Sequence, residues 1–305
     1  MCAAIAAVLV TYNRQRLLAD CLGALLGQTH PLDRIILIDN ASTDGTTEWL
    51  REQGYIHHPR IDYLRLPENR GGAGGFHAGV DHGFTHSYDW LWLMDDDACP
   101  QPDALAQLLA CQPQSEHLYG STAIALDDPQ HRLCWPSSTL EGSRLEYQTD
   151  LSDPLIEIQS LTFLGLLIHR QIVQQIGLPD STMFLAGDDI DYCERARKTG
   201  ARLFLVAGSR LHHPLPTRRT VTLLGYRLQN LILPPWKRYY DVRNRLLIAR
   251  RHYGHRLWTE TLPGLLIRLL DSLRHDPNRW QQLAAYLRGV HDGFRNRTGP
   301  RRRPS

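Results

Sequence analysis

Four times within the first 110 or so residues, a short apolar run stops at a cluster of polar residues. Residues 3–10 give way to Thr11-Tyr12-Asn13-Arg14, after which Leu18, Cys21, Leu22 and Leu25 recur at helical spacing. Residues 34–39 run into 40–45, a set of turn and N-cap residues that leads into a helix over 46–53. A third run, 61–66, precedes the glycine-rich stretch 67–75 and a helical segment over 76–88, and a fourth, 90–94, ends in Asp95-Asp96-Asp97. Strand–helix units repeated in this way connect through right-handed crossovers, which predicts an α/β fold with a mostly parallel, doubly wound sheet and flanking helices. Ligands of such sheets bind at the carboxyl ends of the strands, where all four polar clusters fall.

The rest of the chain is less regular. Strands are expected at 120–126, 161–168 and 202–206, and helices at 171–176, broken by Gly177-Leu178-Pro179, and at 188–199, ended by Gly200. Beyond about residue 236 the pattern turns helical, over 239–252, 262–273 and 280–294, and the arginine-rich end 295–305 is expected to have no fixed fold. The expected division is therefore an α/β domain over 1–236, in halves of about 1–100 and 101–236, and a helical basic region over 237–305.

Charge follows the same division. Residues 237–305 hold 16 Lys/Arg against 5 Asp/Glu, whereas the preceding residues hold 18 against 27, although the whole chain sums to only +2. An acidic body suits metal binding or acid/base work, and a basic region suits an anionic partner, either lipid or nucleic acid. No nucleic-acid reading motif accompanies the arginines. No stretch approaches the roughly 20 apolar residues of a membrane span, and the N-terminus lacks a signal-peptide pattern. The six cysteines are scattered with no CxxC spacing, which argues against a disulfide scaffold or zinc ribbon and for a reducing, cytosolic setting.

Three consecutive carboxylates after a buried strand repel one another unless a cation sits among them. A hard divalent metal would relieve that repulsion and leave coordination positions for phosphate oxygens; the alternative is a solvated acidic loop. Gly71-Gly72-Ala73-Gly74-Gly75 can aim backbone N–H groups at an anion, or can be a flexible turn. The second acidic cluster, Gly187-Asp188-Asp189-Ile190-Asp191, opens a helix, so it can be plain N-capping or can supply a general base for a hydroxyl nucleophile. His212-His213 follow a strand and can complete a metal shell or lie on the surface.

Taken together these segments resemble the inverting, metal-dependent nucleotide-sugar glycosyltransferases of the GT-A fold, within glycosyltransferase family 2, over residues 5–250 or so. Val8–Arg14 looks like the family's first strand and nucleotide loop, Ile38–Gly45 like its second, and Asp95-Asp96-Asp97 like its DxD metal motif. Asn69–Phe76, Trp92–Ala98 and Phe184–Tyr192 are similar to the bacterial galactofuranosyltransferases, whose donor is UDP-galactofuranose. The resemblance implies that Asp95, Asp97 and His213 hold Mn²⁺ or Mg²⁺, with His212 as the alternative histidine. It implies that Asp189 is the catalytic base, supported on the acceptor side by Asp188, Asp191 and Gly165. It implies that Thr11, Tyr12, Arg14, Asp39, Asn69, Gly71, Gly72 and Asp96 bind the nucleotide-sugar. Gly187 stands where the family commonly has Trp, and Asp191 where it has Glu.

The implied reaction is one in-line displacement at the anomeric carbon, with a hydroxyl of a cell-surface glycan or lipid-linked acceptor as nucleophile. Such an enzyme is expected at the cytoplasmic face of the inner membrane, in polysaccharide assembly of the O-antigen or lipopolysaccharide kind. The basic region would meet anionic lipid there, and nucleic acid is not an expected partner. Rival readings are another donor on the same fold, such as dTDP-rhamnose, a two-carboxylate hydrolase, and a non-catalytic polyanion-binding protein.

Overall fold

The computed structural model describes residues 3–126, 128–223 and 225–301. The chain forms two compact units, one built from residues up to 181 together with 192–215, the other from 182–191 together with the residues from 216 onward. The units part at residue 215, ahead of the boundary expected at 236. A β-hairpin that no sequence pattern announces lies at the start of the second unit's longer segment.

In the first unit β1 (Ile5–Thr11), α1 (Gln15–Leu26), β2 (Arg34–Asp39), α2 (Thr46–Glu52), β3 (Ile61–Arg65), α3 (Gly71–Thr85) and β4 (Trp90–Asp95) follow the expected alternation. After them come β5 (Cys99–Pro100), α4 (Ala104–Ala110), β6 (Leu118–Ala125), β7 (Arg132–Ser138), β8 (Arg144–Tyr147), β9 (Leu155–Glu157), β10 (Leu166–His169) and α5 (Arg170–Ile176). Helix α6 (Asp188–Lys198) starts in the second unit and leads back to β11 (Leu203–His213). The main sheet runs β3-β2-β1-β4-β10-β6-β11-β5. Strands β1, β2, β3 and β4 are parallel, as are β6 and β11, whereas β10 is antiparallel to both of its neighbours.

Both faces of this sheet are covered, which is why its strands read as unbroken apolar runs. Ala6, Val8 and Val10 of β1 share a core with Phe76 and Val80 of α3, while Ile5, Ala7 and Leu9 join Leu18, Leu22 and Leu25 of α1. The strand expected over 161–168 is shortened to β10 because the backbone turns at Gly165, where φ is +79°. Gly165 donates its N–H to the Leu93 carbonyl at 2.8 Å, and a Cβ there would meet Ser121 at 2.6 Å.

Residues 71–75, whose composition predicts a loop or turn ahead of a helix at 76, instead form the start of α3. Gly75, Gly79 and Gly83 recur every four residues along that helix. A Cβ on any of them would lie 2.4 Å from Val10, 2.3 Å from Val8 or 2.5 Å from Leu91, so the glycines let α3 lie flat on the sheet.

The second unit holds the hairpin β12 (Arg218–Leu223) and β13 (Tyr226–Leu231), then α7 (Pro235–Ile248), α8 (Leu262–His275) and α9 (Arg279–Phe294). Two π-helical turns, Ala249–Tyr253 and Leu257–Thr261, connect α7 to α8. Val242 and Leu246 of α7, Leu265 of α8 and Tyr286 of α9 share one apolar cluster, and the hairpin is fastened to α8 by Asn230, whose amide donates to Asp271 at 2.7 Å. Residues 295–301, expected to lack a fixed fold, are tied down instead. Gly299 donates to the Thr182 carbonyl at 2.6 Å and accepts from Arg243 at 2.7 Å, and the Arg301 N–H donates to the Tyr240 hydroxyl at 2.8 Å. Residues 302–305 lie outside the described set.

Candidate active site

At the carboxyl end of the first unit's sheet, the loop after β1 and the end of β4 are bound to each other by charge. The Thr11 hydroxyl donates to Asp96 Oδ2 at 2.7 Å, and the Arg14 guanidinium reaches Asp96 Oδ1 at 3.2 Å and Asp97 Oδ2 at 2.5 Å. Asp96 is thus turned inward and buried. Burial pushes its carboxyl up to about 6, with the Asp97 charge adding to the shift and Thr11 and Arg14 opposing it. Tyr12 is at the surface, and its N–H bonds to Asp96.

Asp97 Oδ1 lies 3.2 Å from His213 Nε2, is buried, and has no hydrogen-bond partner; His213 Nδ1 is likewise buried without one. Burial opposes the charge on Asp97, yet His213 and Arg14 outweigh it and hold its carboxyl below the ordinary carboxylate range. His212, the neighbour on β11, faces the Gln101 amide at 3.4 Å instead. A register shift between Val206 and Arg210 in the β6–β11 pairing precedes both histidines, a device that re-aims strand side chains near sites. A carboxylate oxygen without a partner beside an imidazole nitrogen is a donor pair suited to a divalent cation. Among the described residues no group of three or more His, Cys, Asp or Glu side chains comes together as a preformed metal site. A cavity of about 720 Å³ opens beside the pair, lined by Leu17 and Asp20 of α1, Leu126, Arg132, and His213–Leu215.

Asp39, at the end of β2, is fully buried and accepts from the Ser42 N–H at 2.8 Å, the Tyr63 hydroxyl at 2.8 Å and the Thr47 hydroxyl at 3.2 Å, with Arg65 at 3.6 Å. Its charge therefore organises the β2–α2 loop. Burial, with Asp39 as its acceptor, pushes the Tyr63 phenol up to about 12. Asn69 caps the start of α3 by accepting from the Gly71 N–H at 2.8 Å, and Asn40 accepts from the Arg70 N–H and donates to the Gly71 carbonyl. Gly72 has open space where a Cβ would be. Gly165, by contrast, sits in the sheet core against Ser121 and Leu211.

In the second unit, the loop before α6 is held in an unusual shape. Phe184, Ala186 and Gly187 all have positive φ, at 64°, 67° and 82°, a conformation that persists only where neighbours enforce it. Asn244 of α7 enforces it here, with Nδ2 at 3.0, 2.9 and 2.7 Å from the carbonyls of Met183, Leu185 and Ala186. A Cβ on Gly187 would meet Ile248 at 2.8 Å, so the position has room for glycine alone in this packing.

Of the three carboxylates that follow, Asp191 is buried and already taken, by His252 Nε2 at 2.9 Å and Arg251 at 3.3 Å. Both partners come from the π-helical turn at Ala249–Tyr253, some 60 residues on in the chain. Apolar periodicity gives no hint of them. Asp188 is buried and Asp189 half-buried. Desolvation raises both carboxyls well above the ordinary range, and the Asp189 charge raises Asp188 further.

This sheet, with its charged carboxyl-end cluster, has the fold of the GT-A glycosyltransferases. It aligns with a mannosyltransferase from Pyrobaculum calidifontis, solved with GDP-mannose and Mn²⁺, at a TM-score of 0.58 and 16% identity over 96% of this chain and 87% of that one. It aligns with GalNAc-T7, solved with UDP, GalNAc and Mn²⁺, at 0.61 and 13% identity over 95% of this chain but only 56% of that one. The family model for glycosyl transferase family 2 matches residues 6–176, and galactofuranosyltransferase GlfT1 of Mycolicibacterium smegmatis is 34% identical over 79% of this chain and 81% of its own length. The chain belongs to glycosyltransferase family 2 and is a glycosyltransferase. The matched span includes the strand-end cluster and stops short of Asp188.

Proposed function

We propose that this enzyme transfers galactofuranose from UDP-galactofuranose, with inversion, to a hydroxyl of a glycan or glycolipid at the cytoplasmic face of the inner membrane, as in O-antigen assembly. The observation that carries the reading is the buried Asp97 Oδ1, without a hydrogen bond and 3.2 Å from His213 Nε2, in a chain 34% identical to a galactofuranosyltransferase.

Asp97 and His213 are the residues that would hold Mn²⁺ or Mg²⁺, with Asp95 as the third expected ligand. Bound there, the cation would neutralise charge on the departing UDP. Arg14 supplies a second positive charge for the diphosphate, the Gly72 N–H in the first turn of α3 supplies a donor, and Thr11, Tyr12, Asn69 and Gly71 complete the nucleotide loop. Asp39 and Asp96 act by holding those loops in shape. Asp189 takes the acceptor hydroxyl's proton as the new bond forms at the anomeric carbon, and the electron pair of the breaking bond leaves with UDP. Asp191, fixed by His252 and Arg251, sets the direction of the segment that carries Asp188 and Asp189.

The test is a donor panel with the full chain, read as nucleotide release with and without Mn²⁺. UDP release from UDP-galactofuranose only when the metal is present is the expected result. Turnover of dTDP-rhamnose in its place would overturn the donor assignment.

A further inference from the structure

Helices α8 and α9 expose no carboxylate of their own. Between residues 262 and 297 there are three acidic side chains, Asp271, Asp276 and Asp292, and all three are buried. Arg219 pairs with the first two, and the Tyr239 hydroxyl donates to Asp292 at 2.8 Å. Of the six arginines in the same stretch, Arg274, Arg279, Arg288, Arg295 and Arg297 are exposed, whereas Arg268 is half-buried and donates to the Gln229 carbonyl at 3.1 Å.

Large apolar side chains accompany them. Leu266 and Leu270, 56% and 48% exposed, lie four residues apart on α8; Trp280 and Leu287, 74% and 60% exposed, lie seven apart on α9. Each spacing keeps its pair on one side of its helix. Trp258, 63% exposed and just ahead of α8, meets the ring of Phe294 at the end of α9, with centroids 6.1 Å apart. Single exposed leucines are ordinary, but exposed Trp and Leu along two packed helices, with arginines and no outward carboxylate, mark a contact surface. Its chemistry is that of a helix pair lying in a lipid interface, with apolar groups for the acyl boundary, Trp for the headgroup level and Arg for anionic headgroups. Among the described residues no helix is long and apolar enough to cross a membrane, so the surface would lie on the bilayer.

We propose that this face of α8 and α9 seats the enzyme on an anionic bilayer. The inference rests on the membrane location proposed above and names the surface responsible. The anchor is the helix pair, since the segment after it, up to Arg301, is bonded into its own unit.

The experiment is co-sedimentation of the full chain with vesicles of phosphatidylcholine, alone or mixed with phosphatidylglycerol, at low and high salt. The full chain should pellet with the mixed vesicles and be released by salt. Each basic side chain near an anionic surface is worth about fivefold in affinity, so Arg274→Gln with Arg279→Gln and Arg288→Gln should weaken binding by about 100-fold. Trp280→Ser with Leu266→Gln should weaken it at low salt too, and neither variant should change the melting temperature or donor turnover in solution. No pelleting, pelleting that both variants retain, or a dimer of the full chain that both variants dissociate would overturn the proposal. Asp97→Ala should pellet like the unaltered chain. Vesicle binding without any donor turnover would leave this inference standing and refute the proposed reaction; the converse would do the opposite.

Discussion

Asp97 is gripped on one oxygen by Arg14 and left open on the other toward His213. Asp97→Ala should therefore abolish donor turnover, by at least about 100-fold, while leaving the fold intact, because Arg14 keeps its contact with Asp96. Nucleotide release and a thermal melt measure the two effects, and excess EDTA should mimic the first until Mn²⁺ or Mg²⁺ is restored; full turnover in EDTA would refute it. Asp189→Asn should keep donor affinity and lose about 10²–10⁴-fold in turnover, as removal of a general base does. If affinity collapses and turnover of bound donor is normal, Asp189 is a binding residue. The raised carboxyls also set two pH effects of opposite sign. Catalysis needs an ionised Asp189, so kcat/KM should fall on the acid side with a midpoint well above the ordinary carboxylate value of about 4, as one titration of the pair. Stability runs the other way. A carboxyl whose folded-state value is raised favours the fold fully below its unfolded value and loses that contribution as pH rises through the folded value. Asp188→Asn should thus raise the melting temperature at pH 8 and leave it nearly unchanged at pH 4; equal shifts at both would refute the assignment.

Helix α3 shows why a glycine-rich string hides a helix from sequence analysis. In sequence, five small residues look like a cradle or a flexible turn, and only the facing strands show that Gly75, Gly79 and Gly83 are contact points of a helix against Val10, Val8 and Leu91. Periodicity is hidden because glycine holds most of the buried stripe, leaving only Ala73, Phe76 and Val80 to mark it. Gly79→Ala should cost about 1–3 kcal/mol, since its Cβ must displace Val8, and a denaturant melt will show it. Gly72→Ala, with open space around it, should gain about 0.4–1 kcal/mol from the unfolded state while raising the donor KM; an unaltered KM would remove Gly72 from the nucleotide set. Strand β10 was half legible. Its apolar run was visible from residue 161, but the turn at Gly165 and the antiparallel pairing depend on Leu93 and Ser121, which no local pattern names.

At the scale of the molecule, the alternation of strands and helices through β4 and the acidic strand end were legible because each is a local pattern repeated. What was not legible depends on partners far apart in sequence. Segment 182–191 belongs with the C-terminal helices, and Asp191 is held by His252. The arginine-rich end looked unfolded by composition, yet Tyr240, Arg243 and Thr182 supply the hydrogen bonds that order it as far as Arg301.

The grip of Asn244 on three backbone carbonyls within residues 183–186 also bears on anyone who would recombine this enzyme with a relative. The loop that aims the acidic pair takes its shape from α7, 58 to 61 residues downstream, so a graft junction placed at residue 236 would give that loop a foreign clasp. Exchanged as one cassette, residues 182–191 and 216–301 should carry their own geometry into a new host; exchanged separately, neither should.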